Sequence, residues 1–196
     1  MRPELENLPE PNWFHHGVQI LDLLDLYRPL ICVELGSNRG CSAIATVRMV
    51  RQWGGKLYCV DKWTPGREGT FEVGIDVFAE NIFNAGVSAD IRMIHAWTVD
   101  AAQGWWGPID YLYVDADHSY EGCTKDLELW WPFLRPGGLI AGDDYDDPHG
   151  DGRMSQAWDD FERTHNLHFE RTRSPELLGC QCEPCKAARL IWGVKR

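Results

Sequence analysis

The chain has 196 residues, 44% of them apolar, and a formal net charge of −11 at pH 7. That length suits one domain with a substantial core, and that charge argues against nucleic acid or an anionic membrane as the main partner, because phosphate recognition needs clustered Lys and Arg. No run is long enough to span a bilayer, and the opening MRPELENLPEPNWF lacks the apolar centre of a signal peptide, so a cytoplasmic location is expected.

Residues 1–12 read as an N-terminal arm and 13–196 as a single domain. A helix is predicted over 13–27, with Val18, Leu21 and Leu24 on one face, stopped by Pro29. The apolar run 30–35 is a first strand, followed by a turn and a helix over 41–53 that Gly54-Gly55 ends. A second strand over 56–60 leads into Asp61. After a loop with Pro65 and Gly66 come a helix over 77–84, closed by Gly86, and a third strand over 91–94. Strands four and five are 110–114 and 139–141. The helix between them carries Cys123, Leu127, Trp130, Trp131 and Leu134 on its buried side and is stopped by Pro136-Gly137-Gly138. A helix with Ala157, Trp158 and Phe161 follows. Strand candidates 167–170 and 189–194, joined without an obvious helix, form an antiparallel hairpin at the sheet edge. Strands alternating with helices give an α/β class with a mostly parallel sheet.

Three aspartates sit at strand tips. Asp115 follows the fourth strand and Asp143-Asp144 the fifth. If these strands are parallel neighbours, the tips lie about 5 Å apart, at the edge where open α/β sheets bind ligands. Carboxylates that close repel one another unless a cation or protons intervene, which points to metal-assisted chemistry. Upstream, Glu34-Leu35-Gly36-Ser37-Asn38-Arg39-Gly40 joins a strand to a helix, and glycines there let the backbone approach a ligand at a helix N-terminus. The three-glycine dinucleotide fingerprint is incomplete, which counts against an NAD-dependent oxidoreductase without removing it. Asp61, closing the next strand, offers a carboxylate able to accept both hydroxyls of a ribose.

The E-x-G-x-x-x-G turn, the strand-ending Asp61 and the block IDYLYVDADHSYEG…LRPGGLIAGDD resemble class I S-adenosylmethionine-dependent methyltransferases, over roughly residues 13–172 and the final strand. The resemblance implies a Rossmann-like fold, with a seven-stranded mostly parallel sheet in the order 3-2-1-4-5-7-6, helices on both faces and 189–194 as the antiparallel seventh strand. It implies Glu34 near the methionine amino group and the backbone of Gly36, Ser37, Asn38 and Gly40 around the methionine portion. Asp61 would hold the ribose with Lys62 and Trp63 beside it, Ala96 and Trp97 would meet the adenine, with Trp97 stacking on it, and Asp115 would border the same cofactor site.

Within this superfamily Asp115, Asp143 and Asp144 resemble the metal-binding acids of metal-dependent O-methyltransferases. The run Asp143-Asp144-Tyr145 is closest to the type that methylates sugars of natural products, whereas the catechol type has Asn at the position of Asp144. Hard oxygen ligands suit Mg²⁺, which would grip an acceptor hydroxyl and lower its pKa. Asp117 and His118 are both candidate general bases, and His118 offers a route that needs no metal. The expected function is methyl transfer from S-adenosylmethionine to a hydroxyl of a small molecule or sugar, with Mg²⁺ assistance. The alternatives are a metal-free methyltransferase using His118, an NAD-dependent oxidoreductase, and a non-catalytic cofactor-binding assembly protein.

Cys32, Cys41, Cys59 and Cys123 read as small core residues. Cys180, Cys182 and Cys185 lie in a Cys-rich hairpin loop over 173–188. They supply one C-x₂-C pair and a third thiol, one ligand short of structural zinc, with His165, His168 or a second subunit as the source of a fourth; unligated thiols are the other reading. Asp146, Asp147, His149 and Asp151 extend an acidic loop read as solvated. Association into a homo-oligomer stays open.

Overall fold

The computed structural model describes residues 2–9, 14, 16–64, 73–143, 145–146, 151–173 and 189–196. Asp144, Asp147, His149 and the three C-terminal cysteines fall outside the described residues.

Seven strands form one sheet: β1 (Ile31–Leu35), β2 (Lys56–Asp61), β3 (Ile91–His95), β4 (Ile109–Val114), β5 (Leu134–Gly142), β6 (Glu170–Thr172) and β7 (Leu190–Val194). Their order is β3-β2-β1-β4-β5-β7-β6. The first five are parallel, and β7 runs antiparallel to both β5 and β6. The chain steps outward from β1 to β3, then returns across β1 to β4. That reversal leaves a crevice at the carboxyl ends of β1 and β4, where open sheets of this kind hold ligands.

Period-two alternation sorts the strand side chains between two layers of core. Helices α1 (Gly17–Tyr27), α2 (Cys41–Val50) and α3 (Ile75–Asn84) pack on the face that carries Cys32, Leu57, Cys59, Tyr111 and Tyr113. Helices α4 (Thr98–Gly104), α5 (Tyr120–Trp130) and α6 (Met154–Thr164) pack on the face that carries Val33, Leu35, Val60, Leu112 and Val114. With both faces covered, a central strand such as β4 has to be apolar nearly throughout. Cys32, Cys41, Cys59 and Cys123 are all buried, as small core residues should be. Among the described residues, no helix is long and apolar enough to cross a membrane.

Three local differences from the sequence reading have physical causes. Pro136-Gly137-Gly138 does not stop α5; it lies inside β5. The helix ends at Trp130 and a single 3₁₀ turn, Trp131–Phe133, follows, because Pro132 has no N–H to continue an α-helix. Leu134, expected on the helix, instead opens β5 opposite Ile109. The Gly137 N–H donates to Lys195 O at 2.6 Å, so the chain after β7 holds the glycines in the sheet. Helix α4 was not expected from its seven mostly small residues; Trp130 supports it by donating its indole N–H to Thr98 O at 3.1 Å. Residues 167–169 precede β6 rather than forming it, since Leu167 N–H closes α6 on Glu162 O at 2.9 Å.

Candidate functional site

The glycine turn is built by the close approach of three strand tips. Gly36 has φ +85°, and a Cβ added there would fall 2.1 Å from the backbone oxygen of Asp115. Only glycine lets β1 and β4 converge so closely. Gly36 N–H donates to Val60 O and Asp115 N–H to Leu35 O, each at 2.9 Å, which ties the ends of β2, β1 and β4 together. Gly40, φ +88°, then opens α2. The Asp61 carboxylate accepts the backbone N–H of Asn38 at 2.9 Å and of Trp63 at 2.7 Å. The Trp63 indole N–H returns to Asn38 O at 3.0 Å, and its ring packs on Phe78 with centroids 4.7 Å apart. Trp63 holds φ 33° in this clamp, a left-handed conformation that a bulky residue adopts only when its surroundings impose it.

Behind the turn Glu34 is 1% exposed, and one of its carboxyl oxygens accepts the Ser42 hydroxyl at 2.8 Å. Burial pushes the carboxyl up to about 8; the Ser42 hydrogen bond opposes this, and the negative Asp115 and Asp61 add to it.

A cavity of about 660 Å³ opens above these tips. That volume is in the range of small-molecule sites. Its wall runs from Gly36, Asn38 and Asp61 past Lys62, Trp63 and Trp97 to Asp115, Asp117 and His118. Trp97 is 58% exposed, with Lys62 Nζ 4.8 Å from its ring centroid. Glu34, Ser37, Gly40 and Ala96 are not among the lining residues.

Thr98, Val99 and Asp126 also line the cavity and were missed in the sequence. Asp126 is buried, takes the Thr98 hydroxyl, and is pushed up to about 7, chiefly by burial. One signal was available: Asp126 interrupts the apolar stripe of α5 beside Cys123, Leu127 and Trp130.

At the far end His118 Nε2 lies 3.4 Å from Asp115 Oδ1, both side chains 22% exposed. Asp117 also lines the cavity, but its carboxylate accepts Ser119 N–H at 2.9 Å at the start of α5. It is packed so closely on Gly122 that a Cβ there would fall 2.2 Å from Asp117 Cγ. Ser119 caps the helix, accepting Gly122 N–H at 3.1 Å.

Val114 pairs with Gly142, so Asp115 and Asp143 follow at neighbouring tips. Their surroundings differ. Asp143 is 1% exposed and outside the cavity wall; Tyr113 OH donates to its Oδ2 at 3.0 Å, and His16 Nε2 lies 3.4 Å from its Oδ1. His16 is fully buried at the start of α1, and burial brings it down to about 4, which keeps the ring neutral. Nothing in the sequence pattern marked it.

Two carboxylates at adjacent tips fit part of a divalent-cation site by donor chemistry, and Asp144, expected as the third, lies outside the described residues. Among the described residues, no group of three His, Cys, Asp or Glu side chains could hold a metal ion. His165 stands 3.1 Å from Glu128, and His168 3.4 Å from Glu162.

The backbone is similar to that of the O-methyltransferase from Bacillus cereus in complex with S-adenosylhomocysteine: TM-score 0.69, 18% identity, covering all of this chain and 92% of that one. It is also similar to the O-methyltransferase TomG of Streptomyces achromogenes, involved in tomaymycin synthesis and solved with S-adenosylmethionine: TM-score 0.68, 16% identity, covering 92% of this chain and 80% of that one. At those identities the likeness is one of fold. In sequence, the chain is 41% identical over 39 residues to the uncharacterized protein R132 of Acanthamoeba polyphaga mimivirus, a match spanning 20% of this chain and only 18% of that relative's length. The glycine turn, the Asp61 clamp and the 3-2-1-4-5-7-6 sheet form the class I S-adenosylmethionine-dependent methyltransferase fold, and residues 33–145 match the family model described as a methyltransferase domain; the chain belongs to that methyltransferase family.

Proposed function

We propose that this chain transfers methyl from S-adenosylmethionine to a hydroxyl of a small molecule or sugar, assisted by a divalent cation at Asp115, Asp143 and Asp144. One observation carries the reading: the glycine turn and Asp61 share a single cavity with Asp115 and His118. A donor held at one end and an acceptor oxygen at the other would meet inside it. The two O-methyltransferases of the same fold, solved with S-adenosylhomocysteine or S-adenosylmethionine, support the reaction class.

In this reading Asp61 accepts the ribose hydroxyls while keeping its two backbone hydrogen bonds, since each carboxylate oxygen has a second lone pair. Trp97 stacks on the adenine, with Ala96 behind it, and the Gly36–Gly40 turn, with Ser37 and Asn38, wraps the methionine portion. Glu34 stands one layer behind, with one carboxyl oxygen lacking a hydrogen-bond partner; the donor's ammonium, once bound, would draw this carboxyl from its neutral to its ionised form. Lys62 and Trp63 border the nucleoside.

The acceptor oxygen attacks the methyl carbon in line, the C–S bond breaks with its electron pair going to sulfur, and the hydroxyl proton leaves to a base. His118 is that base, because Asp117 is committed to the start of α5 whereas the His118 ring sits at the cavity beside Asp115. Positioning supplies much of the rate gain. A bound cation would add Lewis acidity, lowering the pKa of the acceptor hydroxyl.

A metal-free reaction through His118 is the second reading, favoured by the inward commitment of Asp143 to Tyr113 and His16. Methyl transfer to a panel of catechols and vicinal sugar diols, run in chelator and then with Mg²⁺ restored, separates the two. The expected result is loss and recovery; full activity in chelator removes the cation and leaves His118. His118→Gln should lower turnover about 10²–10⁴-fold with S-adenosylhomocysteine affinity unchanged, and unchanged turnover would remove the base assignment. Failure to bind S-adenosylhomocysteine at all would sink the whole reading.

A further inference from the structure

Asp126 breaks the apolar face of α5, where Cys123, Leu127 and Trp130 are all buried, and it is itself 1% exposed. A carboxyl in such a place needs its oxygens matched, because an unpaired acceptor away from water is destabilising. One oxygen is matched: the Thr98 hydroxyl donates to Oδ1. The other, Oδ2, has no hydrogen-bond partner among the described residues. Thr98 is held by α5 a second time, since its backbone oxygen accepts the Trp130 indole N–H at 3.1 Å. Trp130 lies one helical turn beyond Asp126, so one face of the helix grips Thr98 at both points and sets the carboxyl in place before a ligand arrives.

Asp126 and Thr98 both line the cavity, and the sheet register says at which end. Asp61 pairs with His95 at the neighbouring tips of β2 and β3, and Ala96 N–H donates to Asp61 O at 3.0 Å. The chain therefore leaves β3 beside the acid assigned to the ribose and runs through Trp97 directly into Thr98. A nucleoside with its ribose at Asp61 and its base on Trp97 extends the far edge of that base toward Thr98 and Asp126. The other α5 charges on the cavity wall, Glu121 and Lys125, are exposed and pair with each other at 2.7 Å.

We propose that Asp126 Oδ2 accepts the exocyclic amino group of adenine, so that this acid on α5 selects the base of the methyl donor. The proposal rests on the donor part of the proposed function and deepens it. Adenine presents an N–H donor on that edge, whereas hypoxanthine carries an oxygen acceptor in its place. A buried carboxylate stabilises the first and repels the second.

The test is calorimetric titration of the full chain with S-adenosylhomocysteine and with S-inosylhomocysteine, which share the ribose and the amino-acid portion. At about pH 8 the Asp126 carboxyl, which burial raises to about 7, is mostly ionised. The adenine ligand should bind about 10–100-fold more tightly. Asp126→Leu, which completes the apolar stripe of α5, should bring the ratio to within about threefold of one. Thr98→Val removes the hydroxyl but leaves the carboxylate, and should keep a preference of about tenfold or more. A parent ratio near one, an unchanged ratio in Asp126→Leu, or loss of the preference in Thr98→Val would each overturn the inference while leaving the donor reading intact. Binding of neither ligand would overturn both. If Asp126→Leu does not fold, Asp126→Ala decides by the same ratio, since it removes the acceptor without adding bulk.

Discussion

Replacing Gly36 by alanine tests the construction of the site at its tightest point. Two costs are distinct there. At φ +85° an L-residue pays roughly 1–2 kcal/mol for the left-handed conformation. The new Cβ would also lie 2.1 Å from Asp115 O and 2.6 Å from Ala116 Cα, both backbone atoms that no rotamer change can move aside. Forcing extra volume into such a site costs about 1–3 kcal/mol more. Gly54 supplies the control: its φ is +86°, and nothing lies within 4 Å of an added Cβ. Gly54→Ala should therefore show the conformational cost alone, about 1–2 kcal/mol, and Gly36→Ala a total of about 2–5 kcal/mol. Urea unfolding of the two variants measures the difference, and titration with S-adenosylhomocysteine reads the site. Because relief of the clash has to push the β4 tip and Asp115 away from the turn, affinity should fall in Gly36→Ala and hold in Gly54→Ala. Equal stability losses, or an unchanged affinity in Gly36→Ala, would refute the claim that the strand tips need a glycine to converge.

Two further outcomes follow from the buried polar groups. Glu34, raised from 4.5 to about 8 chiefly by burial, keeps a proton in the folded chain that the unfolded chain has released. The folded state thus binds more protons between those values, and this group makes stability fall as pH rises through that window. Asp126, raised from 3.8 to about 7, acts in the same direction. Glu34→Gln, which fixes the neutral form, should flatten that part of the profile of urea midpoint against pH, and a profile identical to the parent's would show that Glu34 is ionised in the folded chain. Tyr113→Phe removes the hydroxyl donor to buried Asp143 and should cost about 1–3 kcal/mol. A loss under about 0.5 kcal/mol in urea unfolding would mean that the other contacts of Asp143 carry it.

The sequence by itself determined the order of the strands along the chain and of every helix but α4, the glycine turn, the acid at the tip of β2 and the neighbouring Asp115 and Asp143. These are legible because they are local or periodic: apolar runs, turn residues, and one side chain just past each strand. Misreadings arose where tertiary contacts outweighed local signals. Pro136-Gly137-Gly138 looks like a helix stop, but pairing with the chain after β7 draws it into β5. The tertiary structure alone decided which acids face the cavity. Asp115 and Asp143 are equivalent in sequence, yet one lines the cavity beside His118 while the other is buried under Tyr113 and His16. It alone brought Thr98 to Asp126, and Gln19 to the backbone of Arg173, 154 residues away. Contacts between distant segments leave no periodicity in the chain, because they depend on how the packed layers close rather than on any neighbouring residue.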